Sequence, residues 1–348
     1  MRILCITSMR DEGPYLLEWI AHHLGAGITD FLIYSNDCDD QTAHMLNLLQ
    51  DAGIITHVPQ IPTKGKSIQW QALQAAWKHP LRKAADWVLV SDVDEFLNIH
   101  HPGHSVRDLL SATPSDIDGI VLLWRLFGHN GVSDIVDAPV TTQFTHSIQG
   151  DTSFPIAASL FKTLFRARGP FNQLGVHRPR QKPADKAPSP VFVDGSGQRL
   201  PQAFADNQKR LSLYGLSQGR ALAEINHYSI RSAAAFLIKR ARGLPNRAHK
   251  PVDLSYWSER NFNTEPNDSI APMRAATEQQ LARLWEIPGL ADLHASSVIQ
   301  HQKRFNALVK SPEEQMLFSR ILVAGGSVVP DQALQQRLIS MYQAANSS

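Results

Sequence analysis

The chain is poor in cysteine, in net charge and in long apolar stretches, and each shortage removes a class of protein. Cys5 and Cys38 are the only cysteines in 348 residues. Two thiols cannot build a disulfide framework, although a pairing between them stays open. Lys and Arg number 34 against 32 Asp and Glu, a net charge of +2. No global field therefore recruits nucleic acid or an anionic membrane, and an anion would have to be met by a local basic cluster. The opening Met1-Arg2-Ile3-Leu4-Cys5-Ile6 turns polar at Thr7, and no apolar run approaches the ~20 residues of a membrane-spanning helix. A soluble, cytoplasmic protein is the expectation. Its 15 histidines are scattered. His22, His23, His100, His101 and His104 fall in helix or turn contexts without ligand spacing and read as ordinary polar positions.

What the chain does have is alternation of short apolar runs with amphipathic ones. With 43% hydrophobic residues it is long enough for one large α/β domain and a smaller appendage. Strands are predicted at Ile3 to Thr7, Asp30 to Ser35, Ile54 to Val58 and Trp87 to Val90. Between them, helices are predicted from Pro14 to Gly25, Gln41 to Ala52 and Ser67 to Lys78, the first with Leu16, Leu17, Ile20 and Leu24 on one face. Four strands separated by three helices imply a mostly parallel, Rossmann-type sheet flanked by helices, whose strand-end loops gather along one edge.

The fourth strand runs into Ser91-Asp92-Val93-Asp94-Glu95-Phe96. If the segment stays extended, Asp92 and Asp94 point the same way and can share one divalent ion or one metal-diphosphate complex. Hard carboxylates without a thiolate between them suit Mg2+ or Mn2+. The bland alternative is loop punctuation or a helix cap.

Several stretches together resemble family 2-type glycosyltransferases, and more narrowly the bacterial branch related to the family 92 and domain-of-unknown-function-23 enzymes. They are Met9-Arg10-Asp11-Glu12-Gly13-Pro14-Tyr15-Leu16-Leu17-Glu18-Trp19, Tyr34-Ser35-Asn36-Asp37-Cys38-Asp39-Asp40-Gln41-Thr42, Asp92-Val93-Asp94-Glu95-Phe96, Trp124-Arg125-Leu126-Phe127-Gly128-His129-Asn130-Gly131, Gly175-Val176-His177-Arg178-Pro179 and Ile225-Asn226-His227-Tyr228-Ser229-Ile230-Arg231-Ser232. The resemblance covers roughly residues 1 to 245. It implies a GT-A fold, with a nucleotide-sugar half at about 1–100 and an acceptor half at about 101–245; the chain's own helical patterns place a helical C-terminal region at 246–348 after it. It also implies a nucleotide-sugar donor, a carbohydrate or glycoside acceptor, and a divalent cation on Asp92 and Asp94 whose shell a late histidine completes. His227 is that histidine, with His177 a secondary candidate near donor or acceptor.

Other residues stand out by their chemistry. Arg10, Asn36, Asp37 and Asp39 follow the first two strands, where amides and carboxylates can meet a base and a ribose, although Asp39 or Asp40 also suits a helix cap. Lys66 opens the third helix and reads either as a phosphate ligand or as an exposed loop lysine. Arg231 stands at the start of a basic helix, where the dipole disfavours a cation, so a diphosphate gives it a reason to be there. Trp70, Trp124 and Phe127 are stacking or core aromatics. Lys162, Arg166 and Arg168 alternate along an extended piece, and Pro183 to Pro201 reads as a loop over the cleft or a plain surface excursion.

A base for an inverting reaction stays unassigned among Asp134, Asp137, Asp151 and Glu224. Two rival functions remain: a phosphotransferase or phosphatase with Asp92 as nucleophile, and a non-catalytic nucleotide-sugar-binding module. Helical patterns begin near Arg274, Leu290, Pro312 and Asp331.

Overall fold

A computed structural model describes residues 1–63, 65–150, 152–243 and 252–346. Lys64, Asp151, the expected boundary at 245 and the terminal Ser347 and Ser348 lie outside the described residues.

The N-terminal half follows the predicted alternation: β1 (Ile3–Met9), α1 (Gly13–Gly25), β2 (Asp30–Ser35), α2 (Thr42–Asp51), β3 (Thr56–Pro59), α3 (Ile68–Lys78) and β4 (Trp87–Val90). Five further strands complete the sheet: β5 (Glu95–Ile99), β6 (Gly119–Leu126), β7 (Phe161–Arg166), β8 (Phe192–Asp194) and β9 (Ala223–His227). Their order is β3-β2-β1-β4-β7-β6-β9-β5, with β8 on β6 beside β9. Only β7 and β5 run against the rest. This is the mostly parallel, helix-flanked α/β sheet that the sequence predicted.

The period of two explains why both faces are buried. Ile3 and Cys5 of β1, with Trp87 and Leu89 of β4, join one core cluster, while Leu4, Ile6, Val88 and Val90 join the other. Both cysteines are free.

Two expectations are corrected. His22 and His23 are not ordinary polar positions, since both are buried. His22 Nε2 lies 2.8 Å from the Leu97 carbonyl and Nδ1 3.2 Å from Thr277 Oγ1, while His23 Nδ1 donates to the Trp19 carbonyl at 2.8 Å. The cause is α5 (Arg274–Trp285), which covers the side of α1 that its own pattern leaves to solvent. Gly25 permits the approach, because a Cβ there would come within 3.0 Å of the Ala276 backbone. The stretch Pro183 to Pro201 is likewise no plain loop, since it holds β8, buried and paired with Gly119–Val121.

The helices at the C-terminal end pack on the sheet domain. α4 (Ala233–Arg242) follows β9, and α6 (Leu290–Leu308) lies against α1, α2 and α4. Met273, Leu284 and Leu290 belong to the same cluster as Trp19 and Phe31. α7 (Pro312–Ala324) and α8 (Gln332–Asn346) follow. No described helix is long and apolar enough to cross a membrane.

Candidate active site

The chain leaves β4 in a turn, with the Glu95 amide donating to the Asp92 carbonyl at 3.0 Å, and departs as β5 to the far edge of the sheet. The extended continuation expected for Asp92 to Asp94 is therefore not formed. The reason is β9: its antiparallel register on β5 sets His227 opposite Glu95, and the Tyr228 amide donates to the Asp94 carbonyl at 2.8 Å.

The two carboxylates consequently take different partners. Asp92 accepts from Lys162 Nζ at 2.9 Å and from Gln69 Nε2 at 3.1 Å. Asp94 Oδ2 accepts from Lys239 Nζ at 2.8 Å, and its Oδ1 faces His227 Nε2 at 3.6 Å. Arg231, at a left-handed φ of 56°, donates to the Val93 carbonyl at 3.2 Å and to Glu12 at 2.8 Å, and its guanidinium lies 3.6 Å from the Tyr15 ring centre.

These contacts fix the charge states. Burial opposes ionisation of Asp94, but Lys239 and then His227 outweigh it and hold the carboxyl well below its usual range. Burial lowers His227, with Asp94 acting against it. Lys162 is fully enclosed between Asp92 and Glu95 Oε2, the latter at 3.1 Å. Burial alone would strip its proton, yet the two carboxylates raise it. Glu95 is pushed up by burial against the pull of Lys162.

A cleft of about 670 Å³ opens on this turn. Of the sequence-predicted residues, Arg10, Asn36, Asp37 and Lys66 line it from the loops after β1, β2 and β3. Asp92, Asp94, His227 and His177 line it as well. His177 donates through Nδ1 to the Phe161 carbonyl at 2.9 Å, and the Trp124 ring lies 4.1 Å from that of His227 and 5.4 Å from that of His177. Two predicted residues are elsewhere. Asp39 stands outside the lining with a mostly exposed carboxylate 3.5 Å from Arg10, and Arg231 lines a smaller neighbouring cavity. Trp70 carries the Arg180 guanidinium 5.3 Å from its ring centre, and Phe127 is core.

Sequence reasoning missed the cations that answer the carboxylates. Lys239 and Arg242 lie three apart on α4 and both reach the cleft, and Arg260 and Tyr256 extend that wall. The i,i+3 spacing is the signal the sequence offers, and it is masked because cations in the last turn of a helix also complement its dipole. Arg242 pairs with Glu12 and donates to the Arg10 and Asp11 carbonyls. Lys162 was visible only as one cation in an extended piece; Arg166 on the same strand instead donates to the Ile117 and Ser115 carbonyls.

Among the described residues, the carboxylates lining the cleft are Glu12, Asp37, Asp92 and Asp94. Glu224 is enclosed by Arg125, Arg220 and His100, Asp134 accepts from Ser133, and Asp137 pairs with His294. The donor set nearest the turn fits a divalent cation. Asp94, Glu95 and His227 offer oxygen and imidazole ligand atoms within 4.8 Å of one another, a mixture that suits Mn2+ or Mg2+ with phosphate and water completing the shell.

Residues 2–191 match the family described as Glycosyltransferase family 92. The chain belongs to glycosyltransferase family 92. A family 92 protein of Oryza sativa subsp. japonica is 29% identical over 150 residues, covering 41% of this chain and 24% of that one. One from Arabidopsis thaliana is 31% identical over 157 residues, covering 41% and 26%. The family 92 chain thus spans about a quarter of the length of the curated relatives it matches. Among solved structures, S. aureus TarS is 11% identical over 89% of this chain and 92% of that one, with a TM-score of 0.34. The mannosyltransferase PcManGT of Pyrobaculum calidifontis, in complex with GDP-Man and Mn2+, is 11% identical over 93% and 85%, with a TM-score of 0.30.

Proposed function

We propose that the cleft binds a nucleotide-diphosphate sugar with Mn2+ or Mg2+, and that the chain transfers the sugar to a carbohydrate or glycoside acceptor. The observation that carries this reading is the turn after β4, where Asp92, Asp94 and His227 meet a cleft whose walls bear Arg10, Lys66, Lys239 and Arg242. Membership of the family supports it.

In this reading Asp92, Asp94 and His227 would hold the cation, with Glu95 the further oxygen beside Asp94 and His227, and the bound cation would supply Lewis-acid stabilisation of the departing diphosphate. Lys66 and Arg10 add positive charge along the phosphates, and Asn36 and Asp37 face the ribose and base. Arg231 acts through the turn, bracing Val93 and Glu12. His177 and Trp124 border the sugar, the indole presenting an apolar ring face.

Thermal stabilisation against a panel of nucleoside diphosphates and their sugars, with and without Mn2+, tests the proposal. A cation-dependent rise in melting temperature, lost in Asp92→Ala/Asp94→Ala, is expected by mass action. No rise with any nucleotide overturns the reading. Binding without donor hydrolysis or transfer would leave a binding module, and covalent phosphorylation of Asp92 would point to phosphoryl transfer.

A further inference from the structure

Two of the loops that border the cleft are knitted to each other. They are residues 10–12, between β1 and α1, and residues 36–41, between β2 and α2, each bonded together with the first residue of the helix that follows. The Asp39 amide donates to Asp11 Oδ1 at 2.7 Å, the Gly13 amide to Asp40 Oδ2 at 3.0 Å, and the Glu12 amide to Thr42 Oγ1 at 2.9 Å. Each loop also holds a residue other than glycine in the left-handed region, Asp11 at φ 50° and Asp37 at φ 44°. Such conformations persist where surrounding bonds over-determine them.

Two of those bonds come from far along the chain. His301 Nε2 lies 2.9 Å from Asp40 Oδ2, and Arg304 Nη1 donates to Asp11 Oδ2 at 2.8 Å. Residues three apart share a face of a helix, so one face of α6 grips both loops. The Asp11 side chain is fully enclosed, and those of Asp40 and His301 are nearly so. α6 also abuts the start of α1, where a Cβ at Gly13 would meet Ser297 Oγ at 2.5 Å.

We propose that His301 and Arg304 are positioning residues for the nucleotide part of the donor, holding the two loops in the shape that presents Arg10, Asn36 and Asp37 to the cleft. This rests on the donor-binding reading above. The helical C-terminal region is then a working part of the donor site.

The test measures two quantities in the full chain: affinity for the nucleoside diphosphate panel with Mn2+, and hydrogen exchange at the Asp39 and Gly13 amides. Arg304→Gln is expected to weaken nucleotide binding and to speed exchange at both amides by about tenfold each, as loss of a charge-assisted hydrogen bond would do. Arg304→Lys, which keeps the charge, restores most of both. Arg240→Gln serves as control, since Arg240 pairs with Glu313 and Glu314 on α7 and leaves the loops untouched. Unchanged affinity in Arg304→Gln, or an equal loss in Arg240→Gln, overturns the positioning role while the donor site stands. A wild type that binds no nucleotide overturns the donor reading itself and this role with it; exchange at the two amides then reports the loop clamp alone.

Discussion

Lys239 Nζ lies 2.8 Å from Asp94 Oδ2, on the carboxylate whose other oxygen faces His227. An ammonium thus already meets part of the charge that a divalent cation would neutralise. Lys239→Met should lower stability by about 1–3 kcal/mol, because it leaves a largely buried carboxylate short of its partner. Added Mn2+ should recover a larger share of stability in the variant than it contributes to the wild type. Urea unfolding with and without Mn2+ measures both, and equal stabilisation of the two proteins would show that ammonium and cation do not compete.

Lys162 is enclosed with Asp92 and Glu95, so removing one member strands the others. Lys162→Met should cost about 3–5 kcal/mol, the usual penalty for breaking a buried pair from one side. Lys162→Met/Asp92→Asn should recover much of that loss, since the double change removes the lysine and the carboxylate it meets at 2.9 Å together. A double-mutant cycle in denaturant reads the coupling directly.

Glu224 is enclosed by His100, Arg125 and Arg220 and does not line the cleft. Burial would raise its carboxyl, but His100, Arg125 and Arg220 lower it to about 2. The stabilisation from this depressed carboxyl is present above its ordinary value near 4.5 and is lost as pH falls towards 2. Glu224→Gln should therefore destabilise the fold by about 2–4 kcal/mol at neutral pH and leave nucleotide binding intact. Loss of transfer with nucleotide binding intact, in a variant that remains folded, would return Glu224 to the list of candidate bases.

The buried imidazoles of α1 predict acid sensitivity. Burial lowers His22 to about 4 and His23 to about 3. Both favour the neutral form when folded, so the unfolded chain binds more protons below about pH 6.5 and stability must fall as pH drops from there towards 4. The His22 share is about 3 kcal/mol, since its folded form gains a proton only near pH 4. In His22→Gln, which can still donate to the Leu97 carbonyl, the unfolding midpoint should vary less between pH 7 and 5. An unchanged slope would refute the assignment.

The outcome for His22 also shows where reading from sequence stops. Its position on α1 was legible from helical period, but the cover over that face comes from Thr277 on α5, 255 residues away. The same holds for β8: three residues within a proline-rich stretch carry too little periodicity to announce a strand, and it is β6, far earlier in the chain, that takes them into the sheet.

Local pattern did determine the first four strands and three helices, because each buries its residues with the period of its own backbone. It also determined that the acidic cluster follows the fourth strand, since the loop must begin where the apolar run ends. What tertiary structure alone decided is whom those acids meet. Lys162 lies 70 residues from Asp92, Lys239 lies 145 from Asp94, and Arg304 lies 293 from Asp11. A charge in a sequence has a sign and a helical or strand face, but its partner is set by strand order and helix packing, which no short window of residues contains.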